Sequence, residues 1–248
     1  MRERDLVGRE GVFIAEGEVV LRMLIASPRF EPVSVLIAQK RIVGLSPMLA
    51  DLPEDAPVYA AGQAVLDAIV GFPIHRGILA LGRRTLAPSA DDLLAGLPTR
   101  ALVVALFGIA NHDNVGGVFR NAAAFGADAV LLDPTCCDPL YRKAIRVSVG
   151  AALTVPFARL ATGEDALGLL GRHGFGAVAL SPSGRTALAE LRRPDRVAVL
   201  LGAEGPGLPA EVLARADSVR IPMAPGFDSL NVATTSGVVL HHLAFMAG

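Results

Sequence analysis

Two cysteines, two lysines and no long apolar run set the first bounds on this 248-residue chain. Cys136 and Cys137 are adjacent, which argues against a disulfide framework, and without CxxC spacing there is no zinc signature. They read as small buried or half-buried thiols. The longest apolar stretch, Ala101 to Ala110, contains a glycine and falls far short of the ~20 residues that a bilayer-spanning helix needs. The opening MRERDLVGRE carries no apolar core of a secretion signal, so a soluble cytosolic protein is expected. A net charge of −1 excludes nonspecific coating of nucleic acid by bulk charge. Lys40 and Lys143 are the only lysines; the remaining positive charge is arginine, whose planar fork grips phosphate bidentately and stacks on bases. The sequence shows no internal repeat and no low-complexity tract.

What is present is 52% hydrophobic residues spread along the chain, enough for a sizeable core in one large or two small domains. From Gly11 to about Arg84 the pattern suggests a small α/β unit. Glu16 to Ser27 has helical spacing with Val20, Leu24 and Ile25 on one face, and Val33 to Ala38 reads as a buried strand. Gly62 to Gly71 reads as a second helix, and Gly77 to Gly82 as a second strand. Residues 85–99, with two prolines and polar residues, read as a linker containing at most a helical turn. Beyond Arg100, strand-like runs at 101–110, 129–133, 177–181, 197–202 and 218–223 each lead into a helical or Gly-rich segment. Alternating β and α units with continuous apolar strands predict a parallel sheet covered on both faces, with ligands beyond the strands' carboxyl ends.

Three polar clusters fall at such ends. Asn111 to Arg120 follows the first strand; Asn114 is suited to cap a helix whose apolar face is Val115, Val118, Phe119 and Ala122, ending at Gly126 as C′ residue. Alone, it equally suits an ordinary capped helix with a solvated arginine. The second cluster, LLGAEGPGLP, places Gly202, Glu204, Gly205 and Gly207 after a strand. It lacks GK[ST] and GxGxxG, and Glu204 suits a cationic ligand better than a pyrophosphate. The third runs from Ile221 to His242: a Pro/Gly loop, Asp228 or Ser229 as a cap, and a helix burying Val232, Val239, Leu240 and Leu243. Its first turn offers Ser229, Asn231 and backbone N–H groups. His241 and His242 in its last turn suit the helix dipole or solvent better than a metal.

The ordered set N-x2-N-x-G-x3-R, LGAEGPGL and IPM-x5-SLNV resembles the three signature motifs of the SpoU/TrmH class of RNA ribose 2′-O-methyltransferases in the SPOUT superfamily. Residues 1–84, more loosely, resemble the L30e-like RNA-binding domain that many of these enzymes carry. The resemblance implies an α/β fold: residues 100–248 as a parallel-sheet catalytic domain with a C-terminal deep trefoil knot, 85–99 as linker, and 1–84 as the substrate-binding domain. It implies S-adenosylmethionine as cofactor, contacted by Gly202, Ile221 and Leu230 with Glu204, Gly207 and Met223 nearby. Asn114, Arg120, Glu204, Ser229 and Asn231 match the catalytic positions. A homodimer completing the site across its interface, and tRNA or rRNA as substrate, are also implied.

Departures from the family pattern, His112 and Asp113 where proline is common and NVATTSG where NVSVAAG is commoner, lie outside that polar set. Phosphate contacts are expected from Arg22, Arg29, Lys40, Arg41, His75, Arg76, Arg83 and Arg84, and from Arg142, Lys143 and Arg146. Two other functions stand beside this one. One is a non-catalytic RNA-binding or ribosome-assembly factor that holds S-adenosylmethionine on the same fold. The other is a nucleotide-dependent metabolic enzyme on a doubly wound sheet, for which no cofactor fingerprint is present.

Overall fold

A computed structural model of the chain describes residues 7, 11–71, 76–227 and 229–246. His75 and Asp228 lie outside the described residues. The chain divides into two compact units, residues 1–87 with 138–154, and residues 88–137 with 155–248. The sequence reading groups 138–154 with the second unit; the structure groups them with the first.

The first unit holds β1 (Val12–Glu16), α1 (Glu18–Ala26), β2 (Phe30–Ala38), α2 (Ile42–Leu49), β3 (Val58–Ala61), α3 (Gln63–Val70) and β4 (Ile78–Arg84). Its four-stranded sheet runs β1-β4-β2-β3, with β4 antiparallel to β1 and β2, and β3 parallel to β2. Two of its strands and α2 escape the sequence pattern. β3 is an exposed four-residue edge, and α2 carries Pro47 and Gly44. The buried stripe of α1 is Val20, Leu21 and Leu24; Ile25 is only half-buried.

Residues 138–154 join this unit for electrostatic and steric reasons. Glu16 is buried, and Arg142 grips one oxygen of its carboxylate with Nε at 3.1 Å and Nη2 at 2.8 Å. Arg84 Nη2 pairs with Asp138 at 3.2 Å, and Arg29 donates to the Leu153 carbonyl at 3.1 Å. Gly150 lies where any Cβ would strike Met23. Three residues expected at RNA phosphates, Arg29, Arg84 and Arg142, are therefore committed inside the protein. Burial first, and the Arg84 charge second, lower Arg29 to about 10, so it stays charged at neutral pH.

The second unit holds α4 (Ala90–Ala95), β5 (Ala101–Phe107), α5 (His112–Ala124) and β6 (Ala129–Leu132); α6 (Arg142–Val147) and α7 (Ala151–Thr154) lie in the first unit. It continues with β7 (Phe157–Arg159), α8 (Ala166–Arg172), β8 (Gly176–Leu180), β9 (Thr186–Ala187), β10 (Arg196–Gly202), α9 (Ala210–Arg215), β11 (Asp217–Arg220) and α10 (Val232–His241). The seven strands run β7-β6-β5-β10-β8-β11-β9 and every pair is parallel. All seven residues of β5 are buried, as expected for a parallel strand covered on both faces. Ala101, Val103, Ala105 and Phe107 join a core with Leu94, Leu169, Leu170 and Val212.

Part of the supposed linker is therefore core: α4 is capped by Ser89, whose hydroxyl accepts from the Asp92 N–H at 3.1 Å. The five expected strands are present. β7 and β9, of three and two residues, are too short to leave a periodic signal. No helix among the described residues is long and apolar enough to cross a membrane. Cys136 is buried and Cys137 half-buried, both reduced. Burial, reinforced by Asp133, pushes the Cys136 thiol up to about 12, which makes it inert.

Removing one partner of the Arg142–Glu16 pair leaves a buried carboxylate unpaired. Arg142→Ala is expected to destabilise by about 3 kcal/mol. Arg22→Ala, which breaks only the exposed pair with Glu18, should stay within about 0.5 kcal/mol. Urea denaturation compares the two; equal midpoint shifts would refute the assignment.

Candidate functional site

The loops after β5 and β10 leave the sheet side by side, because those strands pair in register from Ala101↔Arg196 to Phe107↔Gly202. From β5 the chain enters α5, which is capped by Asn111: its side chain accepts from the Asp113 N–H at 2.8 Å. Asn114, expected as the cap, instead sits in the first turn with its side chain buried. The apolar face of Val115, Val118, Phe119 and Ala122 is fully buried as read, with Phe119 edge-on to Phe157 at 5.6 Å. At the far end Gly126 has φ +68° and the Ala127 N–H reaches the Ala122 carbonyl at 2.8 Å, closing a Schellman motif.

After β10, residues 203–207 turn back sharply. The Gly207 N–H bonds the Ala203 carbonyl at 2.9 Å, and Gly205 and Gly207 adopt φ of +85° and +72°. The returning backbone passes so close to Gly202 that a Cβ there would collide with the Gly207 carbonyl carbon and the Leu208 nitrogen. Only glycine fits at 202.

The turn delivers Glu204 to Asn114, whose Nδ2 donates to Glu204 Oε1 at 2.9 Å. Asn231 closes the group: its Nδ2 donates to Asn114 Oδ1 at 2.8 Å and to Glu204 Oε1 at 3.1 Å. Its other end caps α10, with Oδ1 accepting from the N–H groups of Ala233 at 2.9 Å and Thr234 at 3.3 Å. Asn231, rather than Ser229 or Asp228, is thus the cap, and those N–H groups are already engaged.

Beside this triad opens a cavity of about 500 Å³, a volume typical of small-molecule sites. Gly202, Glu204, Gly207, Ile221, Met223 and Leu230, all expected at a cofactor, line it together with Ser229 and Asn231. Leu180, Ser181 and Pro182 line it too, and sequence reasoning missed them. The strand 177–181 was legible, but its short polar ending carries no motif; only the adjacency of β8 to β10 and β11 brings it to the site.

Arg120 is the expected site residue that the chain does not bring there. It is exposed and makes no hydrogen bond or ion pair among the described residues. Six residues after Asn114 at about 100° each, it faces another side of α5. His241 packs edge-on against Phe125 at 5.5 Å, and His242 meets the Leu191 carbonyl at 3.2 Å.

The second and third motifs thus line one pocket and the first reaches its edge through Asn114, and residues 101–241 match the family described as SpoU rRNA methylase. The chain belongs to the SpoU family. An uncharacterized tRNA/rRNA methyltransferase of Mycobacterium bovis is 42% identical over 246 residues, 97% of this chain and 83% of its own. An RNA 2′-O-ribose methyltransferase of known structure is 27% identical with a TM-score of 0.77, over 97% of this chain and 91% of its own. The SpoU methyltransferase AviRb of Streptomyces viridochromogenes, solved with AdoMet, shares the fold with a TM-score of 0.81 at 20% identity, over 97% of this chain and 92% of its own.

In this SpoU member Gly202→Ala must displace the 207–208 backbone. The expected loss is roughly 1–3 kcal/mol, read by chemical denaturation; an unchanged midpoint would mean that the loop yields freely.

Proposed function

We propose that this protein transfers a methyl group from S-adenosylmethionine to a ribose 2′-hydroxyl of tRNA or rRNA. The observation that carries the reading is the Asn114–Glu204–Asn231 triad at the rim of a cavity lined by all six expected cofactor residues. The residues suit the cofactor. Apolar Leu180, Ile221, Met223 and Leu230 can clasp flat or apolar groups, the bare Gly202 and Gly207 backbone admits close approach, and the Glu204 carboxylate favours a cation nearby. When bound, S-adenosylmethionine supplies an electrophilic methyl group on a sulphonium with a good leaving group.

The protein then has to align the sugar hydroxyl and ease proton loss. The two asparagine amides hold the Glu204 carboxylate in place, and Ser229 shapes the wall. Arg120 binds the phosphate next to the target nucleotide and stabilises developing oxyanion charge. It is not the base, since guanidinium stays protonated in proteins.

Because Arg120 is exposed and off the triad's side of α5, it acts across a homodimer, reaching the pocket of the partner subunit. The wider family reading adds a deep trefoil knot built by the C-terminal segment. On this reading the first unit serves as an L30e-like RNA-binding domain, and the protein works in the cytoplasm where its substrate is. Lys40, Arg76 and Arg146 are exposed there and available to phosphates, as are Arg22 and Arg83 despite their ion pairs, whereas Arg41 is half-buried and bonded to Glu18 and the Arg76 carbonyl.

Incubation with labelled S-adenosylmethionine and bulk tRNA or rRNA, followed by mapping of ribose methylation, tests the reaction. Label at 2′-oxygens is expected. Tight cofactor and RNA binding without transfer would favour the scaffold function instead. Arg120→Lys, lacking the fork, should lower turnover by at least about 100-fold with cofactor affinity retained; near-normal turnover removes Arg120 from the mechanism. RNA affinity should fall steeply as salt rises if several arginines meet phosphates. A flat salt response would rule out that surface.

A further inference from the structure

The triad depends on where Asn231 stands, and the chain leading to it does little to hold it there. The described residues of 221–231 are largely exposed, and among them the loop's internal backbone bonding is one turn, Phe227 N–H to the Ala224 carbonyl at 3.2 Å. The position of Asn231 is therefore inherited from α10, whose first turn it caps. Two acceptors must be reached at once, at 2.8 and 3.1 Å. With N–H···O bonds confined to about 2.7–3.2 Å, a displacement of a few tenths of an ångström loses one of them.

What holds α10 is α5, along a stripe that touches no wall of the cavity. Asn121 Nδ2 donates to the Ala233 carbonyl at 2.7 Å and to Ser236 Oγ at 2.9 Å, and Ser236 Oγ donates to the same carbonyl at 2.7 Å. One turn earlier, Gly117 faces Ala233; a Cβ on Gly117 would lie 2.6 Å from the Ala233 Cβ and 3.9 Å from its Cα. Gly237 admits Asn121 from the other side, since a Cβ there would sit 3.2 Å from Nδ2. Asn114, Gly117 and Asn121 follow i, i+3, i+7 and so share one face of α5. The same face that presents Asn114 to the triad also grips the first turn of the helix that presents Asn231.

We propose that Gly117 and Asn121 are positioning residues that set the height of α10 on α5, and thereby whether the Asn231 amide spans Asn114 and Glu204. They line no wall of the cavity and act through Asn231. The geometric part stands by itself; the kinetic part rests on the methyl-transfer reading.

The contact geometry supplies its own rescue. Gly117→Ala forces the helices apart, whereas Gly117→Ala with Ala233→Gly moves the methyl group to the other helix and leaves an ordinary 3.9 Å contact. Crystal structures of both variants read the geometry without reference to activity. The single variant should show Asn231 Nδ2 beyond hydrogen-bond reach of Glu204, and the double variant should restore it. Turnover on bulk RNA should drop at least tenfold in the single variant and return to within about threefold in the double; overpacking should also cost the single variant roughly 1–3 kcal/mol of stability, which the double recovers.

Asn121→Asp, which replaces the donating amide with a carboxylate facing a carbonyl, gives a second, independent lesion and should lower turnover the same way. An unmoved Asn231 in the single variant overturns the proposal. So does lost turnover that tracks melting temperature and is not rescued. Wild-type protein that transfers no methyl group, while the crystal distances behave as stated, overturns the proposed function and leaves the positioning intact.

Discussion

One side chain joins the parts of this site. Asn231 uses its oxygen to cap α10 and its nitrogen to bind Asn114 and Glu204, so helix start, loop after β10 and first turn of α5 are tied at a single amide. Neither function of that amide can be surrendered cheaply. Loss of an N-cap costs about 1 kcal/mol, and the carboxylate left behind would lose one of its two donors. The surrounding fold is organised to keep both engagements in reach.

The sheet makes this possible through strand order. β5 and β10 are neighbours although about ninety residues separate the interacting side chains that follow them, and β8 and β11 lie beyond β10. Their carboxyl ends form one contiguous edge, where parallel α/β sheets place ligands. Tight backbone approach does the rest: the 203–207 turn folds back onto Gly202, so the cavity wall on that side is main chain rather than side chain. A wall of peptide groups and glycines can bind a flat ligand closely, and Glu204, hung from the same turn, lends it negative charge.

The arginines divide into two groups with different physics. Arg142 and Arg84 neutralise the buried Glu16 and the half-buried Asp138, and Arg29 binds a carbonyl group in the first unit. Arg196 similarly reaches the Leu94 carbonyl at the end of α4 and lies over the Phe175 ring at 4.4 Å. Arg120 and Arg146, by contrast, are exposed.

Much of this was written in the sequence. Apolar runs, each leading into a helical or Gly-rich segment, announced the five main strands, and the i, i+3, i+4 spacing of Val115, Val118, Phe119 and Ala122 announced the buried face of α5. The six residues expected at the cofactor line one cavity. These features are local: a strand, a helical stripe or a Gly-rich turn is determined by residues within a few positions of one another. What the tertiary structure alone decided was every pairing across distance. Asn111 rather than Asn114 caps α5 because Glu204 claims Asn114 from ninety residues away. Residues 138–154 fold with the first unit because Glu16 holds Arg142. Arg120 faces outward because the triad occupies another side of its helix. Such choices depend on which group meets which in space, and a one-dimensional pattern carries periodicity but not proximity.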